Sequence, residues 1–167
     1  MWRGSVEVEA PQAELLHRLL RERELWDGGL RRAAVVQNLS DRAEVYRYLL
    51  EGRGHALGSG PPREHLLLRT WQADPSSGPL YLSSASTEHP EVLPEGVRAH
   101  VHACLYLLEP SGAAKTRLTH VCRTDPRGRS PEWHREASGL LLALGLLAIR
   151  DSFGAEHRDG RRRADGS

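Results

Sequence analysis

The chain has 167 residues, a formal net charge of +1 and 39% hydrophobic residues, enough for one domain with a real core. The near-zero charge excludes a general attraction to nucleic acid or to an anionic membrane surface. The N-terminal run MWRGSVEVEA is polar and alternating, so no signal peptide is expected. Cys104 and Cys122, the two cysteines, both fall in expected strands. They read as reduced, half-buried thiols of a cytoplasmic protein, with a cross-strand disulfide as the alternative.

Trp2 to Glu9 alternates, with Val6 and Val8 on one face and Ser5, Glu7 and Glu9 on the other, which predicts a half-buried strand. Pro11 to Glu22 carries Leu15, Leu16, Leu19 and Leu20 at helical spacing, and Trp26-Asp27-Gly28-Gly29 breaks it. Arg31 to Leu39 and Ala43 to Leu50 read as strands around the turn Ser40-Asp41-Arg42. Gly52 to Pro62 is rich in Gly and Pro and reads as a loop. Arg63 to Ala73 and Leu80 to Thr87 make a hairpin, and Glu88 to Gly96 makes a longer loop. Arg98 to Leu108 and Thr116 to Thr124 make another hairpin, turning at Pro110-Ser111-Gly112. No internal repeat is apparent.

The last long element begins at Ser130-Pro131-Glu132. Ser130 can cap free N–H groups, Pro131 suits the first helical position, and Glu132 favours the positive end of the dipole. The helix is expected to run to Arg150 and to stop near Gly154, leaving 154–167, with Arg161 to Arg163, as a disordered tail. Leu142, Leu146 and Ile149 form one stripe; Leu140, Leu144 and Leu147 form a second. Two stripes predict a helix covered on most sides. The apolar run Leu140 to Ile149 falls short of the roughly 20 residues that span a bilayer. Gly139 and Gly145 either admit a close neighbour or soften the helix. A strand, a helix, a run of antiparallel strands and a final helix give an α+β fold, a curved sheet wrapped around the last helix.

Five segments carry a resemblance: LRTWQAD (68–74), STEHPE (86–91), GVRA (96–99), YLLEPSGAAKTRLTHVCRTDPRGRSPEW (106–133) and IRDSF (149–153). Over Trp2 to Phe153 the chain resembles a START domain, the StAR-related lipid-transfer module. More narrowly, it is similar to the START domain that ends the deleted-in-liver-cancer family of Rho GTPase-activating proteins. The resemblance implies a helix-grip fold over residues 1–153, closing on a cavity for one lipid or sterol. It also implies that a first helix and strand are missing before Trp2, which leaves a sheet edge unpaired. Relatives read Arg-Asp-Phe where this chain reads Arg63-Glu64-His65, and an aromatic is usual where His134 stands.

Alternation puts Leu67, Arg69 and Trp71 on one face of their strand and Leu66, Leu68 and Thr70 on the other. In related START domains the position matching Arg69 points inward, so the resemblance selects the Leu67 face. A similar alignment turns Leu80, Leu82 and Ser84 inward. Val101, Ala103 and Leu105 are the apolar face of the next strand, opposite His100 and His102. Arg117 and Arg123 should meet solvent, so Leu118, His120 and Cys122 face in, and Leu142, Leu146 and Ile149 complete the wall. Arg69, charged and inward, requires a carboxylate or a ligand oxygen, with Glu51 as a candidate. His100, His102 and His120 do not converge on this reading, so no metal is expected.

No catalytic constellation is present: there is no phosphate-binding Gly-rich loop and no nucleophile motif. The expectation is therefore a non-catalytic lipid- or sterol-binding module of Rho signalling, without a cofactor, with protein partners in that signalling. No nucleic acid and no transmembrane segment are expected, and transient membrane contact is allowed. In relatives, GTPase activation belongs to a separate upstream domain. The alternative is a START-like interaction scaffold whose cavity has collapsed.

Overall fold

The computed structural model describes the backbone of residues 1–51 and 60–164, and the side chains of 1–51 and 60–154. The elements are β1 (Trp2–Val8), α1 (Gln12–Arg21), β2 (Leu30–Ser40), β3 (Ala43–Leu50), β4 (Arg63–Gln72), β5 (Leu80–Ser86), β6 (Val97–Arg98), β7 (His100–Gly112), β8 (Lys115–Asp125) and α2 (Pro131–Ala164). The sheet runs β1-β8-β7-β5-β4-β3-β2, antiparallel along this path, with β6 added in parallel to β4. Among the described residues β1 therefore forms one edge, beside β8. The α+β architecture follows as expected.

The leucine face of α1 is buried completely. Leu15, Leu16, Leu19 and Leu20 meet Leu80, Leu82, Leu108 and Leu118 of the sheet and Leu146, Ile149 and Phe153 of α2. Each such side chain removed from water stabilises the fold by about 1.5–3 kcal/mol. Arg18 ties the two helices together: its Nη1 donates to Ser152 Oγ at 2.8 Å and its guanidinium lies 4.0 Å from the Phe153 ring centroid. A second cluster, Tyr46, Tyr48, Leu67 and Val101, fills the far end of the sheet.

Several expectations are corrected. The turn after β7 is at Ala113 and Ala114, with Ala114 at φ +53°, because β7 continues through Gly112, which pairs with Lys115. The expected strand from Arg98 divides at Ala99 into β6 and β7, since Val97 and Arg98 pair with β4 instead of β8. The expected Gly52 to Pro62 loop lies mostly outside the described residues. α2 starts as expected, with Ser130 Oγ accepting from Trp133 N at 3.2 Å. It does not stop at Gly154: its backbone stays helical to Ala164.

α2 is also not covered on most sides. Ala137, Leu146, Ile149 and Phe153 are buried, whereas Leu140, Leu144 and Leu147 are 47%, 50% and 39% exposed. The helix packs one stripe against β1 and β8, and the other stripe stays open. By length and composition Pro131–Gly154 could cross a membrane, which the shorter leucine run did not suggest. Here its packed stripe belongs to the domain core.

Two glycines set the approach of α2 to β1. A Cβ on Gly4 would lie 2.7 Å from Leu142 Cδ2, and one on Gly139 would lie 2.6 Å from the Trp2 ring. Gly139 thus admits a close neighbour, and Gly145 does not: a Cβ there would meet nothing within 4 Å.

Candidate binding cavity

The inner face of the sheet is fixed by register. Tyr46, Leu67 and Ser86 lie across from one another, as do Glu44, Arg69 and Ser84. Further along, Trp71 opposes Leu82, Leu82 opposes Tyr106, and Tyr106 opposes His120. Between the end of this face and α2 lies a cavity of about 510 Å³, within the usual range for small-molecule pockets. Trp133, Leu141, Leu142, Leu144, Gly145 and Ala148 form its helical wall, and Trp2, Tyr106, His120, Cys122 and Thr124 its strand wall. The far side is Arg23, Trp26, Asp27, Gly28, Leu50, Glu51, Arg63 and His65.

Of the expected lining residues, the structure brings His120, Cys122 and Leu142 to this cavity. Leu80, Leu82, Leu118, Leu146 and Ile149 do face inward, but α1 fills the space in front of them and they are packed core. Leu67 and Val101 belong to the second packed cluster. Ala103 is exposed and Leu105 half-buried, both on the outer face. An irregularity between Val101 and Ala103 shifts the alternation, so Val101 is inside and the next inward residues are Cys104, Tyr106 and Leu108.

Arg69 is buried away from the cavity, and its partner is Glu44, not Glu51. Arg69 Nε donates to Glu44 Oε1 at 3.0 Å, Nη2 donates to Leu20 O at 2.9 Å, and the guanidinium sits 3.5 Å from the Tyr46 ring centroid. Arg21 donates from Nη1 and Nη2 to both Glu44 oxygens, at 3.0 and 2.9 Å. Burial pushes the Glu44 carboxyl up, but the hydrogen bonds from Arg21 and Arg69 outweigh it and hold the group below the usual value.

The polar character of the cavity comes in large part from His65, Arg23 and Trp133, which the expected lining set does not contain. His65 stacks on Tyr48, with centroids 4.3 Å apart and planes 5° from parallel, as an aromatic would. Burial, with Arg23 and Arg63 nearby, lowers its pKa to about 3, so the imidazole is neutral at physiological pH. His65 Nδ1 and Trp133 Nε1 are both buried without a hydrogen-bond partner among the described residues. Arg23 rests 3.6 Å from the Tyr48 ring centroid and pairs with Asp27 at 3.0 Å. The departure of Arg63-Glu64-His65 from Arg-Asp-Phe was the signal that pointed to His65.

His100 and His102 pack against each other, 4.4 Å between centroids, while His120 stacks on Tyr106 at 4.0 Å. The side chain beside His120 is Cys104, whose Sγ lies 3.1 Å from His120 Nε2. Hydrogen bonds from Cys104, His120 and Thr124 hold the Cys122 thiol below its ordinary range, and Cys104, hydrogen-bonded to Cys122 and buried, is held above it.

Comparison with known proteins bears on the family and the fold. The START domain family profile matches residues 1–143. Human StAR-related lipid transfer protein 13 is 45% identical over 154 residues, 92% of this chain and 14% of that protein. Mouse Rho GTPase-activating protein 7 is 37% identical over 161 residues, 96% of this chain and 14% of that protein. The chain thus spans about one seventh of the length of these curated relatives. The solved lipid transfer and protein localization domain of human StarD13 (DLC2) superposes with a TM-score of 0.84 at 44% identity, covering 90% of this chain and 75% of that one. Human STARD10, at 20% identity, has a TM-score of 0.78 over 99% of this chain and 67% of that one, a likeness of fold alone.

Proposed function

The chain belongs to the START domain family, and on that premise we propose that it takes up one amphiphilic lipid or sterol in the cavity beside α2. The observation that carries the reading is the wall itself. Leucines of α2 and the Trp2 ring supply apolar surface, while His65 and Trp133 each hold a buried nitrogen with no partner among the described residues. A neutral headgroup oxygen can satisfy such nitrogens, and Arg23 and Arg63 favour a polar or anionic end. Leu67, Leu80, Leu82, Val101, Leu118, Leu146 and Ile149 then act as the rigid floor rather than as contacts.

The module works without chemistry of its own, in a protein of Rho signalling in the cytoplasm. GTPase activation is named for one of these relatives, mouse Rho GTPase-activating protein 7, and is assigned to no residue here. The test is native mass spectrometry of the purified chain, followed by titration with fluorescent sterol and phospholipid probes. A single bound lipid per chain supports the reading. A bare chain that takes up neither probe identifies a START-like scaffold that works through its surface.

A further inference from the structure

We infer that Cys104, His120 and Cys122 form a binding site for a zinc ion, with its fourth coordination position opening on the cavity. The strand register builds the site. His120 and Cys122 are two apart on β8 and so share a face, and Cys104 of β7 lies directly opposite Cys122. The three donor atoms all lie within 4.8 Å of one another, with Cys104 Sγ and His120 Nε2 at 3.1 Å. Zinc bonds of about 2.3 Å to sulfur and 2.0–2.1 Å to nitrogen, at tetrahedral angles, hold donors on the order of 3.5–3.8 Å apart. Donors already within 4.8 Å of one another are about 1 Å from that spacing.

The surroundings hold the donors in place. Thr124 Oγ1 lies 3.0 Å from Cys122 Sγ, and the Tyr106 ring, 13° from parallel, fixes the plane of the imidazole. Two thiolates and one imidazole suit zinc better than the oxygen-seeking magnesium or calcium. His120, Cys122 and Thr124 are cavity wall, so the remaining position faces the space where water or an anionic oxygen would sit. The competing outcome for these residues is a Cys104–Cys122 disulfide.

The test uses the full chain, reduced and stripped with a chelator, titrated with Co2+ as a spectroscopic probe and with Zn2+ against a chromophoric chelator. One equivalent is expected, with a thiolate-to-cobalt charge-transfer band that Zn2+ abolishes. Cys122→Ser and His120→Gln should each weaken binding at least tenfold, and Zn2+ should raise the melting temperature of the parent but not of these variants. Because the parent titration is decisive by itself, a variant that fails to fold does not blur the result. No cobalt–thiolate band in the reduced parent overturns the site, as does a band that survives Cys104→Ser/Cys122→Ser. So does a chain isolated under non-reducing conditions with both thiols already joined that binds no metal once reduced. None of these readouts depends on lipid.

Discussion

Glu44 has no exposed surface and shares its carboxylate between Arg69, itself buried, and the partly exposed Arg21. Replacing Arg69 with Leu leaves that charge with one guanidinium and takes the Arg69 Nη2 bond from Leu20 O, which keeps only Arg21 Nη1 at 3.2 Å. The cost should be about 3 kcal/mol, the lower end for a broken buried pair, measurable by urea unfolding. Arg21→Leu should cost less, since Arg69 still holds Glu44. Of the two partners its inward position allowed, a carboxylate or a ligand oxygen, Arg69 has the carboxylate, that of Glu44.

His65 gives the domain a pH dependence of definite sign. Its folded pKa, about 3, lies below the ordinary value of 6.5, so the unfolded chain binds the extra proton between those limits. Stability is therefore full above pH 6.5 and falls as the pH drops, by up to about 1.4 kcal/mol per unit. Glu44, also depressed, adds a second loss only below its own ordinary value of 4.5. His65→Phe should remove the slope between pH 6.5 and 4.5 and leave the acid limb, as urea unfolding at a series of pH values would register. A parallel slope in the variant would contradict the assignment.

Gly139 and Gly145 of α2 separate packing from space at the level of a single element. Gly139→Ala drives a methyl to 2.6 Å from the rigid Trp2 ring, an overpacking that should cost about 1–3 kcal/mol. Gly145→Ala meets open space and should stabilise the helix by up to about 1 kcal/mol, or roughly 2–4 °C in Tm. Thermal melting of both should show opposite signs. The start of this helix was legible in Ser130-Pro131-Glu132 because capping is local chemistry. Its exposed stripe was not, since Leu140, Leu144 and Leu147 look the same in sequence whether a sheet covers them or not. The facing of β7 was misread for a related reason. Alternation locates Val101, but the irregularity beyond it arises in pairing with β8, which no local pattern records. Arg69 and Glu44, on neighbouring strands and 25 positions apart, likewise meet only through register.

At the scale of the whole molecule, the sheet, α1 and α2 divide the interior unequally. α1 fills the space in front of β5 and the middle of β8 with leucines, and an opening remains where α2 passes β1 and the end of β8. This explains why most of the expected lining set became floor. The family fold was legible in the long 106–133 block, whereas the cavity's position depends on how one helix leans on an edge strand. The central claim is that this space holds one lipid. Gly145→Leu tests it most directly, because the new side chain enters the cavity where nothing else stands. Native mass spectrometry of the parent and of Gly145→Leu, purified alike, should show one lipid on the parent and none on the variant, with the variant's Tm unchanged or higher. Equal lipid on both, or none on the parent, would contradict the account.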